Sequence, residues 1–328
     1  MNSTMHTFRP AACLACLAFA LAATPALSQD AYPTRPVRFV VPYPPGGSTD
    51  PLARLVGAGL TTIWGQQVVV ENRAGGDTII GSTVVANAPP DGHTILYAAT
   101  THVIIPLLHK KLPFDAMRDF APVATVATNE KLLVTHPGVP ANNLQELIAH
   151  AKANHGKVNF AMTANGSANH LANEMLNIAT GIRTLQVPYK GAGPALTDLI
   201  GGHVHLLFAL PVSVTQHVQR GALRGIAISG ETRLPALAKV PTFTESGLAK
   251  FEVSTWQGIL APVRVPRAIV SKITRDVAQI LGTRDAQEKL VALGATPFVS
   301  TPEQFAKLMR EEQARYAKVI AAANIRLD

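Results

Sequence analysis

The chain has 328 residues, 47% of them hydrophobic and 15% charged, with a formal net charge of +8. That length allows two domains, and the composition is that of a globular protein with a sizeable core, which excludes a disordered or low-complexity chain. The basic residues are scattered, with Lys110-Lys111 and Arg220/Arg224 the densest spots and no run of five, so the charge predicts attraction of small anions and no nucleic-acid partner.

Arg9, the apolar stretch 11–22 and the small residues of Ala26-Leu27-Ser28 form the pattern of a secretion signal over 1–28, with cleavage after Ser28. The apolar stretch is too short to span a membrane. Both cysteines, Cys13 and Cys16, fall within it. The remaining chain is therefore expected to carry no disulfide, thiolate nucleophile or cysteine metal site, which suits a periplasmic protein.

A β-branched run over 37–41 predicts a first strand, and the recurrence of Leu52, Leu55, Val56, Leu60 and Ile63 predicts a helix over 51–64 closed by Gly65. Asp50 reads as its N-cap and Pro51 as its first helical residue. Between strand and helix lies Tyr43-Pro44-Pro45-Gly46-Gly47-Ser48-Thr49. Free N–H groups at a helix N-terminus attract anions, and glycines let the backbone approach a ligand closely, so this turn is a candidate anion seat. An ordinary turn would also favour Gly and Pro.

A strand over 68–70, a second Gly-rich turn through Gly75-Gly76-Asp77, a helix over 79–88 and a strand over 94–98 follow. After a strand pair over 120–127 and 131–135 the alternation resumes: helix 144–153, strand 158–162, the small-residue turn 163–170, and a helix to residue 178. Next come a strand ending at Val187-Pro188-Tyr189-Lys190, a helix over 194–200, and strands over 203–209 and 223–229. A return strand over 256–261 precedes two helices, 268–281 and 302–323. Strand alternating with helix predicts parallel α/β sheets, and two sets of loops at strand ends predict a ligand held between two lobes.

His203 and His205 would share one strand face, but no third ligand stands near them, so no metal site is expected. No G-x-S-x-G pentad occurs, and no cofactor motif was found, so neither an enzyme nor a cofactor is expected. His170 reads as a helix-start or packing residue that can reach a ligand, Tyr189 as a cleft wall, and Lys190 equally as a cation for an anionic ligand or a solvated lysine at a strand end. Trp256 reads equally as hinge packing or a stacking surface.

Several short motifs recur in a fixed order: Val40-Val41-Pro42-Tyr43-Pro44-Pro45-Gly46-Gly47-Ser48-Thr49-Asp50, Val70-Glu71-Asn72-Arg73, Pro90-Asp91-Gly92-His93-Thr94, Asp119-Phe120-Ala121-Pro122-Val123, Asn165-Gly166-Ser167 with His170-Leu171, Val187-Pro188-Tyr189-Lys190-Gly191, Glu245-Ser246-Gly247 and Trp256-Gln257-Gly258. With these the chain resembles the Bug receptors, the periplasmic solute-binding proteins of tripartite tricarboxylate transporters. The resemblance implies a two-lobed, Venus-flytrap α/β fold of type II-like plan with a small carboxylate in the cleft between lobes. It also implies membrane permease subunits as partners. The lobes are expected to be 29–127 with 256–328, and 128–255, in a monomer.

The family's carboxylate seat maps onto Gly47, Ser48 and Asp50 and onto Asn165, Gly166 and Ser167, with Asp50 capping or holding a water beside the anion. Relatives usually have a longer glycine run where this chain has Asp77-Thr78, and often an acidic residue near Ala209, so these three positions are expected to tune the ligand. Met162, Phe208 and Tyr189 would make the cleft partly apolar. The expected ligand is an aromatic or other non-amino mono- or dicarboxylate, ahead of amino acids and citrate. A sensor role, docking a two-component receptor, would use the same site.

Overall fold

The computed structural model describes residue 1 and residues 32–45, 49–163, 166–249 and 251–325. The expected cleavage point after Ser28 and the candidate residues Gly47, Ser48 and Asn165 lie outside the described residues. In chain order the elements are β1 (Val37–Val41), α1 (Thr49–Trp64), β2 (Val68–Asn72), α2 (Ile79–Ala86), β3 (Thr94–Ala99), α3 (Thr101–Leu108), β4 (Phe120–Asn129), β5 (Leu132–Thr135), α4 (Leu144–Ala153), β6 (Asn159–Met162), α5 (Ala168–Thr180) and β7 (Leu185–Pro188). They continue with α6 (Ala192–Ile200), β8 (Leu206–Ala209), α7 (Pro211–Gln219), β9 (Arg224–Ile228), β10 (Thr255–Pro262), α8 (Arg267–Leu281), α9 (Arg284–Ala292), β11 (Thr296–Pro297) and α10 (Pro302–Ala323).

The strands form two sheets, ordered β11-β4-β10-β3-β1-β2 and β7-β6-β8-β5-β9. They are mixed, not purely parallel as the alternation predicts. β1 pairs in parallel with β2 and β3, and β6 with β7 and β8, whereas β10 runs antiparallel to β3 and β4, and β5 antiparallel to β8 and β9. The antiparallel strands flank the two passages between sheets, where the chain arrives without a βα crossover that would turn it round. Those passages lie side by side: Asn129 stands opposite Thr255 and Thr128 opposite Trp256. A polar network crosses them, with Gln257 Nε2 donating to Asn129 Oδ1 at 2.5 Å and the Lys131 N–H donating to Ser229 Oγ at 2.7 Å.

β1 and β3 are apolar almost throughout because helices cover both faces of their sheet. α1 buries Leu52, Val56 and Leu60, and Gly65 follows it at φ 62°, a left-handed value that closes a helix cheaply. α1 begins at Thr49, so Asp50 lies in its first turn and not at the cap the sequence suggests. α10 opens with a complete capping box, Thr301 and Gln304, and buries Phe305, Met309, Tyr316 and Ile320. It packs against α3 beside the first sheet and against α5 beside the second. Each fully buried Leu, Ile or Phe in this core contributes about 1.5–3 kcal/mol. Trp256 belongs here too: it is 2% exposed and meets Phe305 edge-on at 4.9 Å, which makes it packing at the passage between sheets. Among the described residues no helix is long and apolar enough to cross a membrane.

Candidate functional site

A cavity of about 330 Å³ opens where loops from both sheets meet. Its first-sheet lining comes from Pro42, Tyr43 and Pro44 after β1, Ala74, Gly75, Asp77 and Thr78 after β2, and one face of α3 after β3; Gly166, Ser167 and Ala168 after β6 close it from the second sheet. Every one of these loops follows the carboxyl end of a parallel strand, the position where open α/β sheets hold ligands.

The loop after β1 is tied down by side chains. Asn72 Nδ2 donates both to the Tyr43 carbonyl at 3.1 Å and to Asp50 Oδ1 at 2.9 Å. Arg54 Nε donates to Asp50 Oδ2 at 3.1 Å, and Asp50 is 7% exposed. Asp50 therefore braces this loop and does not line the cavity. The Tyr43 phenol hydrogen-bonds with the Thr101 side chain and the Ala99 backbone, and burial pushes its pKa up to about 12, so it stays a neutral hydroxyl. α2 comes close behind: a Cβ on Gly81 would stand 2.8 Å from the Arg73 carbonyl oxygen and from Pro42, so only glycine lets the helix support both loops.

The loop after β6 is held as firmly. Ser167 caps α5, its Oγ accepting the His170 N–H at 3.2 Å. The Gly166 N–H donates to His170 Nδ1 at 3.0 Å, with Gly166 at φ 70°. Asn169 accepts the Thr163 N–H at 3.2 Å and donates to the Phe208 carbonyl at 2.8 Å. Burial lowers the His170 pKa, which keeps Nδ1 available as an acceptor.

The remaining candidates sit away from the cavity lining. His170 is 6% exposed behind the loop it braces. Tyr189 donates its hydroxyl to Asp198 Oδ2 at 2.7 Å and packs against the second sheet's core, and Lys190 is exposed beside it. Ala209 is 8% exposed, paired with Leu132 in the sheet. Phe208 belongs to an aromatic core cluster with Phe160, Phe243 and Phe251, and Met162 packs on that core, so neither supplies the apolar wall the sequence suggests. His203 and His205 precede β8, which begins at Leu206, so no shared strand face exists; His205 Nδ1 accepts the Asn159 N–H at 2.7 Å. No metal-holding cluster occurs among the described residues.

The apolar wall comes from α3, which the sequence reading missed. Thr101, Ile104, Ile105 and Leu108 line the cavity at i, i+3, i+4 and i+7, with His109 at the end of the helix. That spacing was the available signal. Pro106 inside the helix and apolar residues on every side of it concealed the pattern. What the site presents is one apolar helix face, neutral hydroxyls from Tyr43, Thr78, Thr101 and Ser167, and the N-terminal ends of α2, α3 and α5. Such ends carry partial positive charge and unpaired N–H groups, which suits an anionic head on a carbon skeleton.

Known proteins share this plan. The family model described as "Tripartite tricarboxylate transporter family receptor" matches residues 52–325. The chain is 36% identical to protein BugT of Bordetella pertussis over 306 residues, covering 92% of this chain and 93% of BugT. Among solved structures, R. palustris Rpa4515 with adipate has a TM-score of 0.77 at 34% identity, covering 90% of this chain and 100% of that one. MatC (Rpa3494) from Rhodopseudomonas palustris with bound malate has a TM-score of 0.72 at 33% identity, covering 88% and 100%.

Proposed function

Because the chain belongs to the tripartite tricarboxylate transporter receptor family, a family of periplasmic solute-binding receptors and not of enzymes, we propose that it captures a small carboxylate between its lobes and delivers it to the membrane permease of such a transporter. The observation that carries this reading is the cavity between the two sheets. It joins the N-terminal ends of α3 and α5 to one apolar face of α3. The lobes of this reading are 29–127 with 256–328, and 128–255, hinged at the paired passages near Asn129 and Thr255.

In this reading Gly47 and Ser48 from the first lobe, with Asn165, Gly166 and Ser167 from the second, receive the carboxylate, and Tyr43 and Thr78 flank it. Asp50 and His170 keep those loops in shape. The α3 wall favours a carbon skeleton, aromatic or aliphatic, over citrate, since no convergent cations line the cavity to neutralise three charges among the described residues. The neighbours solved with adipate and malate support a small aliphatic carboxylate as the ligand class.

Calorimetry with benzoate, adipate, malate, citrate and glutamate tests the reading directly. One or more of the first three is expected to bind, with a fall in radius of gyration on saturation as the lobes close. Binding of citrate or glutamate alone would refute the ligand class, and saturation with no change in scattering would refute closure.

A further inference from the structure

The segment that enters the cavity after β2 is unusual in its backbone. Gly75, Gly76, Asp77 and Thr78 have φ of 126°, 53°, 51° and 80° in succession. Glycine adopts such values freely, but a β-branched residue there is a genuine outlier. Asp77 and Thr78 are two of three non-glycine residues with positive φ among the described residues. Backbone strain of this kind persists where the surroundings over-determine it, and it clusters at ligand clamps. Its effect here is to present two polar side chains to the cavity, where both form part of the lining. Asp77 Oδ2 stands 3.3 Å from His109 Nε2, and the Asp77 side chain is 65% exposed.

His109 marks one end of the α3 wall and Thr101 the other. At 1.5 Å per residue the two ends are separated by about 12 Å. Ile104, Ile105 and Leu108 fill the interval with apolar surface. Tyr43 meets Thr101 at the near end. A skeleton lying along α3 with its head among the loops at that end would bring its far end to Asp77 and His109.

Resting on the carboxylate reading, we infer that the Asp77–His109 pair is a polar end-stop that selects monocarboxylates bearing a hydrogen-bond donor at the far end and rejects a second carboxylate there. Asp77 accepts the donor, while His109 at 3.3 Å holds the aspartate in place. A second carboxylate would face the Asp77 carboxylate as the cleft closes and water leaves, and like charges in such a space repel strongly. A hydroxyl or an ammonium supplies the same donor chemistry.

The test uses four ligands with one six-carbon skeleton: hexanoate, 6-hydroxyhexanoate, 6-aminohexanoate and adipate. Each is titrated calorimetrically into the full chain and into Asp77→Asn, which keeps a side chain that tolerates left-handed backbone. In the native chain the hydroxy acid or the amino acid should bind about tenfold tighter than adipate, and which of the two leads identifies the donor. In D77N adipate should gain about tenfold while unliganded melting stays within a few degrees. Adipate binding as tightly as the best of the other three in the native chain, or an unchanged ratio in D77N, overturns the end-stop while leaving the carboxylate reading intact. Failure of all four to bind overturns the end-stop, and the carboxylate reading falls with it only if benzoate and malate fail as well.

Discussion

The two walls of the cleft are built by opposite means. The second-sheet wall, Gly166 to Ala168, is a short loop whose shape is set by hydrogen bonds: Ser167 to the α5 backbone, Asn169 to Thr163 and Phe208, His170 to Gly166. The first-sheet wall is a helix face set by packing, with Ile104 and Ile105 1% and 2% exposed although both reach the cavity. A polar loop can lose one bond and keep its outline, because water replaces what is lost. A packed wall that loses a side chain leaves a void, and the elements behind it share the cost. Damage to the first wall should therefore read out as stability and damage to the second as affinity.

Ile105→Ala puts the contrast to its hardest test. Removing a buried isoleucine is expected to cost about 2–5 kcal/mol of stability, read by chemical denaturation of the unliganded protein. A loss below about 1 kcal/mol would mean that α3 is not the packed wall described here. Ser167→Ala should do the reverse. Affinity for the bound carboxylate should fall by about 1–3 kcal/mol, the range for a hydrogen bond to a charged group, while stability falls by only about 1 kcal/mol for the lost cap. Unchanged affinity would take Ser167 out of the seat.

A third expectation concerns acid, to which both walls respond through their histidines. Burial lowers the pKa of His102 in α3 to about 4, opposed in part by its bond to the Ala116 carbonyl, and burial also lowers that of His170 in α5. Both are bases that the fold keeps neutral. Below the ordinary histidine value of about 6.5 the unfolded chain binds the proton first, so stability should decline as pH falls from 6.5 towards 4. His102 is 2% exposed, and its share is on the order of 1–3 kcal/mol. Glu312 moves the other way. Burial, with Glu252 adding to it against the attraction of Arg315, raises its pKa to about 7, so its contribution is lost as pH rises from about 4.5 to 7. Melting curves between pH 4 and 7 in a Glu312→Gln, Glu174→Gln background remove the two carboxyls whose pKa burial raises and leave the histidine effect to be read. The same profile with His102→Gln added would show that the proton cost at His102 is not felt.

What could be read from the sequence divides along the same line. Ser167 before an apolar-periodic helix, Gly65 after one, and the Gly-rich turns following β1 and β2 announce themselves because capping and left-handed backbone demand particular residue types. The two-lobed α/β plan follows from alternating strand and helix together with the ordered family motifs. The α3 wall did not show, since an apolar helix face beside a cavity and one inside a core use the same residues. Phe208 failed in the opposite sense: its position at a strand end suggested the cleft, and only tertiary packing with Phe160, Phe243 and Phe251 assigns it to the core. Asp50 carried the right weight for a different reason, because its partner Asn72 lies 22 residues on, at the end of another strand.

The order of strands also has a consequence for how the chain is made. β10, residues 255–262, lies between β3 and β4 in the middle of the first sheet. The second sheet is drawn wholly from residues 132–228. As the polypeptide emerges, β1 pairs with β2 and β3, but β3 has no partner on its other side until about half of the protein has followed it. The centre of the first sheet cannot be closed before residue 262 is available, and its β11 edge not before residue 297, whereas every strand of the second is already present. The portion synthesised earliest is thus the last to be sealed, and its open edge at β3 is the place where a nascent or mistimed chain is most exposed to joining a neighbour.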